Sequence, residues 1–300
     1  MDYLKGNVTA SASALFVICR HLSKIGDTCV SADLRNALRP LHVHRNDDPA
    51  KSSTDALASS LKVGEGIGVL TEAKGFGWAV DPAIATGLMG AADEGWTWFR
   101  GELLRRINTE AMASLEQKEK PSDLVLGMAW FLQQNPLRPL GAAFGGGAEE
   151  GIGSLAHPDG TLVKAVENQE QWRGFLRWSI ALGLARNVEA GRTRVIVADA
   201  STAIADQFAS LPNSDRAEAW LAQLTKQLPI LGSGTLLGAL PTRRAGWASI
   251  PPAVSLGLLK LEKAGALRME SADDGRGVVT VGLGTNVRQV GIITVTGEAA

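Results

Sequence analysis

Chemistry in this 300-residue chain would have to start from very few groups. The histidines are His21, His42, His44 and His157. His42 and His44 alternate along one stretch with Asp47 and Asp48 just behind, so His42, His44 and Asp48 could be drawn around a metal ion. That stretch, LHVHRNDDPAKSS, is polar, irregular and without the ligand spacing of a zinc protease or deaminase, and it reads as a solvated loop. A serine nucleophile would want a G-x-S-x-G elbow; the nearest segment, GSGTLLG at 232–238, suits a helix cap and turn better. Asp199 follows the apolar run VIVA, where an α/β enzyme would place a strand-end carboxylate, but beside Ser201 it reads as part of a helix cap. The glycines at 145–147 are followed by Ala148, Glu149 and Glu150 rather than by Lys and Ser or Thr, and two carboxylates there would repel a phosphate. Asp273 and Asp274 read as solvated turn residues. No catalytic set, metal site or cofactor is expected.

Composition narrows the classes further. The chain is 45% hydrophobic and 20% charged, ordinary globular values, with a formal net charge of −1. A near-neutral chain has no global pull toward nucleic acid or anionic membrane, so any such contact needs a local patch. Cys19 and Cys29 sit among apolar residues and read as core. The start MDYLKGNVTA lacks the form of a signal peptide, and no apolar run has the length of a membrane span, so a cytoplasmic protein is expected.

The elements follow from periodicity and punctuation. SASALFVICRHLSKIG places Leu15, Ile18, Cys19 and Leu22 at helical spacing before Gly26, and VSADLRNALRP reads as a second helix starting at Ser31. A helix over 54–62 and a hairpin of GIGVL and WAV come next. Residues 83–120 read as a surface-exposed helical stretch. SDLVLGMAWFLQQNP is an apolar helix capped by Ser122, and 141–160 a glycine-rich loop. The helix ENQEQWRGFLRWSIALGLA carries a stripe of Trp172, Phe175, Leu176, Ser179, Ile180 and Leu182, followed by a hairpin turning at Ala190-Gly191 and a helix capped by Ser201. The last third reads as three helices, over 215–229, near 233–239 with Ser233 as cap, and 251–264. A hairpin of ALRMESA and VVTVGL about Asp274-Gly275 follows. Trp96, Trp98, Trp130, Trp172, Trp178, Trp220 and Trp247 fall mostly at apolar helical positions and read as core.

One grammar recurs: amphipathic helix, Gly with an apolar residue, hairpin. It occurs in LASSLKVGEGIGVLTEAKGFGWAV, FLRWSIALGLARNVEAGRTRVIV and LGLLKLEKAGALRMESADDGRGVVTV, and the first two run on into VDPAIA and ADASTAIA. The order suits tandem winged-helix modules with helical insertions, an α+β fold that is mainly helical with small hairpins. The expected units are an N-terminal winged-helix-like domain at 8–85, a helical connector at 86–120, a central helix and hairpin domain at 121–212 and a C-terminal winged helix at 213–290.

In the C-terminal third, Arg243, Arg244, Lys260, Lys263 and Arg276 are the candidate phosphate contacts. The third helix there, PPAVSLGLLKLEKAG, lacks the Arg, Asn and Gln that read base edges, so non-specific binding is expected at most.

The stretch from Trp178, Leu182 and Gly183 through Asp199, Ser201, Thr202, Ala203 and Ile204 resembles a pattern of the DpdG family, with Ala198 and Ala200 where that pattern has prolines. The resemblance implies an accessory protein of bacterial 7-deazaguanine DNA-modification and restriction systems, working in phage defence beside a helicase or nuclease, and supplies no catalytic residues. The expected function is a non-catalytic adaptor or DNA-binding subunit of such a complex. The alternatives are a dimeric winged-helix transcriptional regulator, a scaffold without DNA contact, and an enzyme built on Asp199 or on His42 and His44.

Overall fold

The computed structural model describes residues 2–26, 28–38, 56–73, 77–91, 95–145, 155–156, 162–163, 165–191, 193–232, 250–271 and 276–297. The expected loop carrying His42 and His44, most of the glycine-rich segment, the helix after Ser233, Trp247 and the turn at Asp274-Gly275 lie outside the described residues. The architecture is α+β, helices with small antiparallel strand pairs.

Helix α1 (Ala12–Ile25) starts where the Ser11 hydroxyl accepts the Ala14 N–H and stops at Gly26, which takes φ 72°. Helices α2 (Ser31–Leu38) and α3 (Ala56–Gly66) follow, then the hairpin β1 (Leu70–Ala73) and β2 (Gly77–Val80). Cys29, between α1 and α2, bridges to Trp78 of β2. Asp81 caps α4 (Pro82–Gly90), its carboxylate accepting the N–H groups of Ala83 and Ile84. Helix α5 (Trp96–Glu116) is no surface connector: Phe99, Leu103, Leu104, Ile107 and Ala111 are buried, and it packs on α1, α4 and α6 (Asp123–Leu132). Every residue of α6 is buried, as a helix apolar on all sides must be.

The central part has a short strand β3 (Leu140–Gly141), the pair β4 (Leu155–Ala156) and β5 (Leu162–Val163), and helix α7 (Gln169–Ala181), capped by Asn168. Strands β6 (Ala185–Ala190) and β7 (Thr193–Ala198) form the expected hairpin, with β3 on the far edge of β7. Helix α8 (Ser201–Ala205) is short. Ser201 is its first residue rather than its cap, and the Asp199 carboxylate accepts the Ser201 N–H instead.

Strand β8 (Ser214–Arg216), helix α9 (Ala217–Gln227) and helix α10 (Pro252–Lys263) open the last part. The expected hairpin about Asp274-Gly275 does not form as such. Strand β9 (Leu267–Glu270) pairs with β12 (Ile292–Val295), and β10 (Val279–Leu283) pairs with β11 (Asn286–Val290) across Gly284-Thr285. A ribbon has been inserted between β9 and β12, and β12 takes the middle place between β8 and β9.

The recurring grammar is a recurring backbone. At the end of α3, α7 and α10 stand Gly68, Gly183 and Gly265, with φ 75°, 72° and 77°. The next N–H in each case reaches back to a carbonyl in the helix: Val69 to Gly64, Leu184 to Ser179, Ala266 to Leu261, each at 2.9 Å. This is the Schellman closure, which a left-handed glycine permits. The carbonyls of those same three residues then accept from the far end of the second strand, from Asp81 (3.1 Å), Asp199 (3.1 Å) and Thr296 (3.0 Å). In the third unit the partner sits farther along the chain because the ribbon intervenes.

The glycines differ in their surroundings. A Cβ on Gly183 would lie 2.8 Å from the Thr202 Cβ and 3.0 Å from the Ala203 N, whereas one on Gly265 would meet nothing within 4 Å. Gly183→Ala is therefore expected to destabilise by about 2.5 kcal/mol and Gly265→Ala by about 1 kcal/mol, the left-handed strain alone. Chemical denaturation of both variants checks the ordering; equal effects would mean that the close approach of α8 is not rigid.

The core runs through all three units as one continuous cluster. Trp172, Trp178 and Trp220 are fully buried and Trp130 nearly so, as expected, while Trp98 lies partly exposed against Gly87. Cys19 and Cys29 are free and buried. Burial pushes the Cys19 thiol up to about 12, which keeps it protonated and unreactive.

Candidate nucleic-acid interface

Two of the five basic candidates, Arg243 and Arg244, lie outside the described residues. The other three are held differently. Lys260 points from α10 into an ion pair with Asp199, whose side chain is 1% exposed. Arg186 of β6 reaches the same Asp199 oxygen at 3.0 Å. Burial alone would raise the Asp199 carboxyl, but Lys260, with the Ser201 N–H, holds it below the usual carboxylate range. Lys260 is thus a fastening between α10 and the end of β7. Lys263 is exposed at the last turn of α10, and Arg276 is exposed just before β10, its carbonyl accepting from the Arg216 guanidinium at 3.0 Å.

Helix α10 is also poorly placed to enter a groove. Ala253, Val254, Ser255, Gly257, Leu258 and Leu261 are buried, and a Cβ on Gly257 would come within 2.9 Å of the Ser201 N, so α8 crosses almost on its backbone. Of its outward polar groups, Glu262 is taken by Arg288. The helix before β9 is a packing element in this unit.

The equivalent helices of the other two units differ. On α3 the exposed positions are Ala56, Ala58, Lys62 and Glu65, a single cation opposite a single anion. On α7 they are Glu170, Arg173, Arg177 and Ile180, spaced as one stripe along the side opposite Trp172, Phe175 and Ser179. The hairpin that follows exposes Arg186 and Arg194. None of these four arginines belongs to the sequence-derived set. The signal for the helical pair was present in the spacing of Arg173 and Arg177, but it could be weighed only once Ile180, expected on the buried stripe, proved 40% exposed.

Two ion pairs elsewhere are structural. Arg106 of α5 holds Asp81 at 2.6 Å and donates to the Gly68 carbonyl, clamping the first unit at its hairpin root. Asp206 accepts two parallel bonds from the Nε–Nη2 edge of the Arg100 guanidinium, each at 2.6 Å. Among the described residues no three His, Cys, Asp or Glu side chains converge on a point, and no helix is long and apolar enough to cross a membrane.

Residues 1–275 match the model of a family described as DpdG-like. No curated protein and no solved structure matches the chain. The match stops inside the third unit, before the β10–β11 ribbon and the central strand β12.

Proposed function

Because this chain belongs to the DpdG-like family, whose model spans residues 1–275, we propose that it is a non-catalytic winged-helix subunit of a DNA-directed defence complex. The family is associated with 7-deazaguanine modification systems. In this reading the chain joins a partner protein of the restriction machinery to duplex DNA, gripping the DNA through phosphates rather than bases. What carries it is the threefold helix, left-handed glycine and hairpin unit, with the shared hydrogen bonds at Val69, Leu184 and Ala266. In winged-helix modules that arrangement presents a helix and a wing to a duplex. In the third unit Lys263 and Arg276 face solvent and are the proposed phosphate contacts there, with Arg243 and Arg244; Lys260 is withdrawn from that role by Asp199.

Backbone recognition has a quantitative signature. Each neutralised phosphate contributes about −0.9 to the slope of log affinity against log salt. A gel-shift titration with unrelated duplexes is expected to give equal affinities across sequences, weakening steeply with salt. Absence of any retardation at micromolar protein and low salt would defeat the DNA half of the proposal. Co-purification of a tagged chain from its native cell is expected to bring down a helicase or nuclease, and recovery of the chain alone would defeat the adaptor half.

A further inference from the structure

We propose that the principal DNA-facing surface is the exposed side of α7 with the β6–β7 hairpin, and that Arg173, Arg177, Arg186 and Arg194 hold the phosphate backbone of duplex DNA there. The proposal rests on the reading of the chain as a DNA-contacting subunit and adds the place of contact, in the central unit rather than the C-terminal one.

The comparison of the three units supports it. Only α7 offers two guanidiniums on its exposed stripe, and they lie about 6 Å apart along the helix axis, within reach of neighbouring phosphates on one strand. Arg177 donates to the Val8 carbonyl, which steadies its side chain against the helix and leaves further N–H groups to donate. Arg173 pairs with Glu170 at 2.8 Å, and Arg194 with Glu189 at 3.8 Å, but all four side chains are more than 60% exposed. Such pairs are worth roughly 0–1 kcal/mol in water, so a phosphate, which an arginine can hold by two parallel bonds, can displace the glutamates. Arg186 shares Asp199 with Lys260, so the buried carboxylate stays paired when Arg186 turns outward.

The acids of these two elements set the polarity. Glu167 and Glu170 stand at the start of α7, while its later turns and the hairpin hold four arginines with Glu189 as the exposed carboxylate among them. The duplex is therefore met by the later turns of the helix and by the hairpin, not by the helix N-terminus. Nothing on the α7 stripe can read a base edge bidentately except the two arginines, and each is engaged with phosphate in this arrangement, which fits binding without sequence preference.

The test is fluorescence anisotropy of a labelled duplex of about 20 base pairs with the full chain, across 50–200 mM salt. The double variant Arg173→Glu with Arg177→Glu is expected to weaken binding at least tenfold and to flatten the salt slope by about 2. Lys24→Glu with Lys62→Glu makes the same change in formal charge on other exposed helix positions and is expected to bind within twofold of the parent. Should the α7 double variant fail to fold, Arg194→Glu at the hairpin tip is expected alone to weaken binding about threefold with an unaltered melting temperature. A parent that binds while the folded α7 and Arg194 variants bind equally well would overturn this surface and leave the DNA reading standing. A loss shared equally by the Lys24 and Lys62 control would also overturn it, pointing to net charge rather than to a face. A parent that does not bind at all removes both.

Discussion

Replacing Asp123 by alanine is expected to destabilise the protein by about 4 kcal/mol, a large share of the stability of an ordinary domain. The carboxylate is 2% exposed and organises the start of the chain. One oxygen accepts the N–H groups of Tyr3 (2.7 Å) and Leu4 (3.0 Å), and the other those of Leu4 (3.0 Å) and Lys5 (2.8 Å). The first oxygen also takes the N–H of Leu124, the next residue of its own helix. Tyr3 and Leu4 are fully buried, and alanine would leave their amide hydrogens without acceptors and out of reach of water. Asn at the same place would keep one acceptor but turn an amide NH2 toward donors, for an expected loss of about 2 kcal/mol. Limited trypsin digestion offers a second readout, because release of residues 2–5 exposes the bond after Lys5. An alanine variant within 1 kcal/mol of the parent, with Lys5 still protected, would mean that burial of Tyr3 and Leu4 alone holds the segment.

Burial also raises the Asp123 carboxyl above its usual value, against the pull of the backbone N–H groups. A folded value above the unfolded one means that this group favours the folded state below the unfolded pKa and loses that contribution as pH rises through the folded value. The raised value reflects burial, whereas the alanine penalty reflects geometry; the two effects are separable by comparing Asp123→Asn with the parent across pH.

Local signals carried much of the architecture. Ser11, Ser122 and Asn168 cap helices, Gly26, Gly68, Gly183 and Gly265 stop them, and Pro252 starts α10; each acts through its own backbone or its nearest neighbours. The failures share a physical cause. Asp274-Gly275 has the sequence of a tight turn, yet strand pairing is decided by which strand fills the hydrogen-bonding edge of β9. That partner is β12, which follows an inserted ribbon and also pairs with β8. Helix α5 reads as exposed because its charged tail dominates the composition, while Phe99, Leu103, Leu104 and Ile107 form a continuous buried face. Lys260 looks like a phosphate ligand until its partner, 61 residues earlier, is known. A surface charge and a buried clamp are the same letter in a sequence; only tertiary packing separates them.

That clamp gives the second large effect. Asp199→Ala is expected to destabilise by about 3 kcal/mol, because it strips the acceptor from the buried Ser201 N–H and leaves the two cations Lys260 and Arg186 side by side without their shared counter-ion. Lys260→Met should cost about 1 kcal/mol, since Arg186 still answers Asp199 and the methionine retains most of the lysine stem packed along α10. If the two side chains act on each other, the double variant will be less destabilised than the sum of the singles by about 1–2 kcal/mol. Acidity supplies an independent check. The folded value of Asp199 lies below its unfolded one, so the contribution is whole above about pH 4 and fades as pH falls through the folded value. The stability gap between the parent and Asp199→Asn should therefore be constant near neutrality and narrow below about pH 4, the opposite sense to Asp123. A gap that stays fixed down to the acid limit would show that Asp199 works through shape and the Ser201 cap alone, and α10 would then be tied to the central hairpin by the close packing of Gly257 on Ser201 rather than by charge.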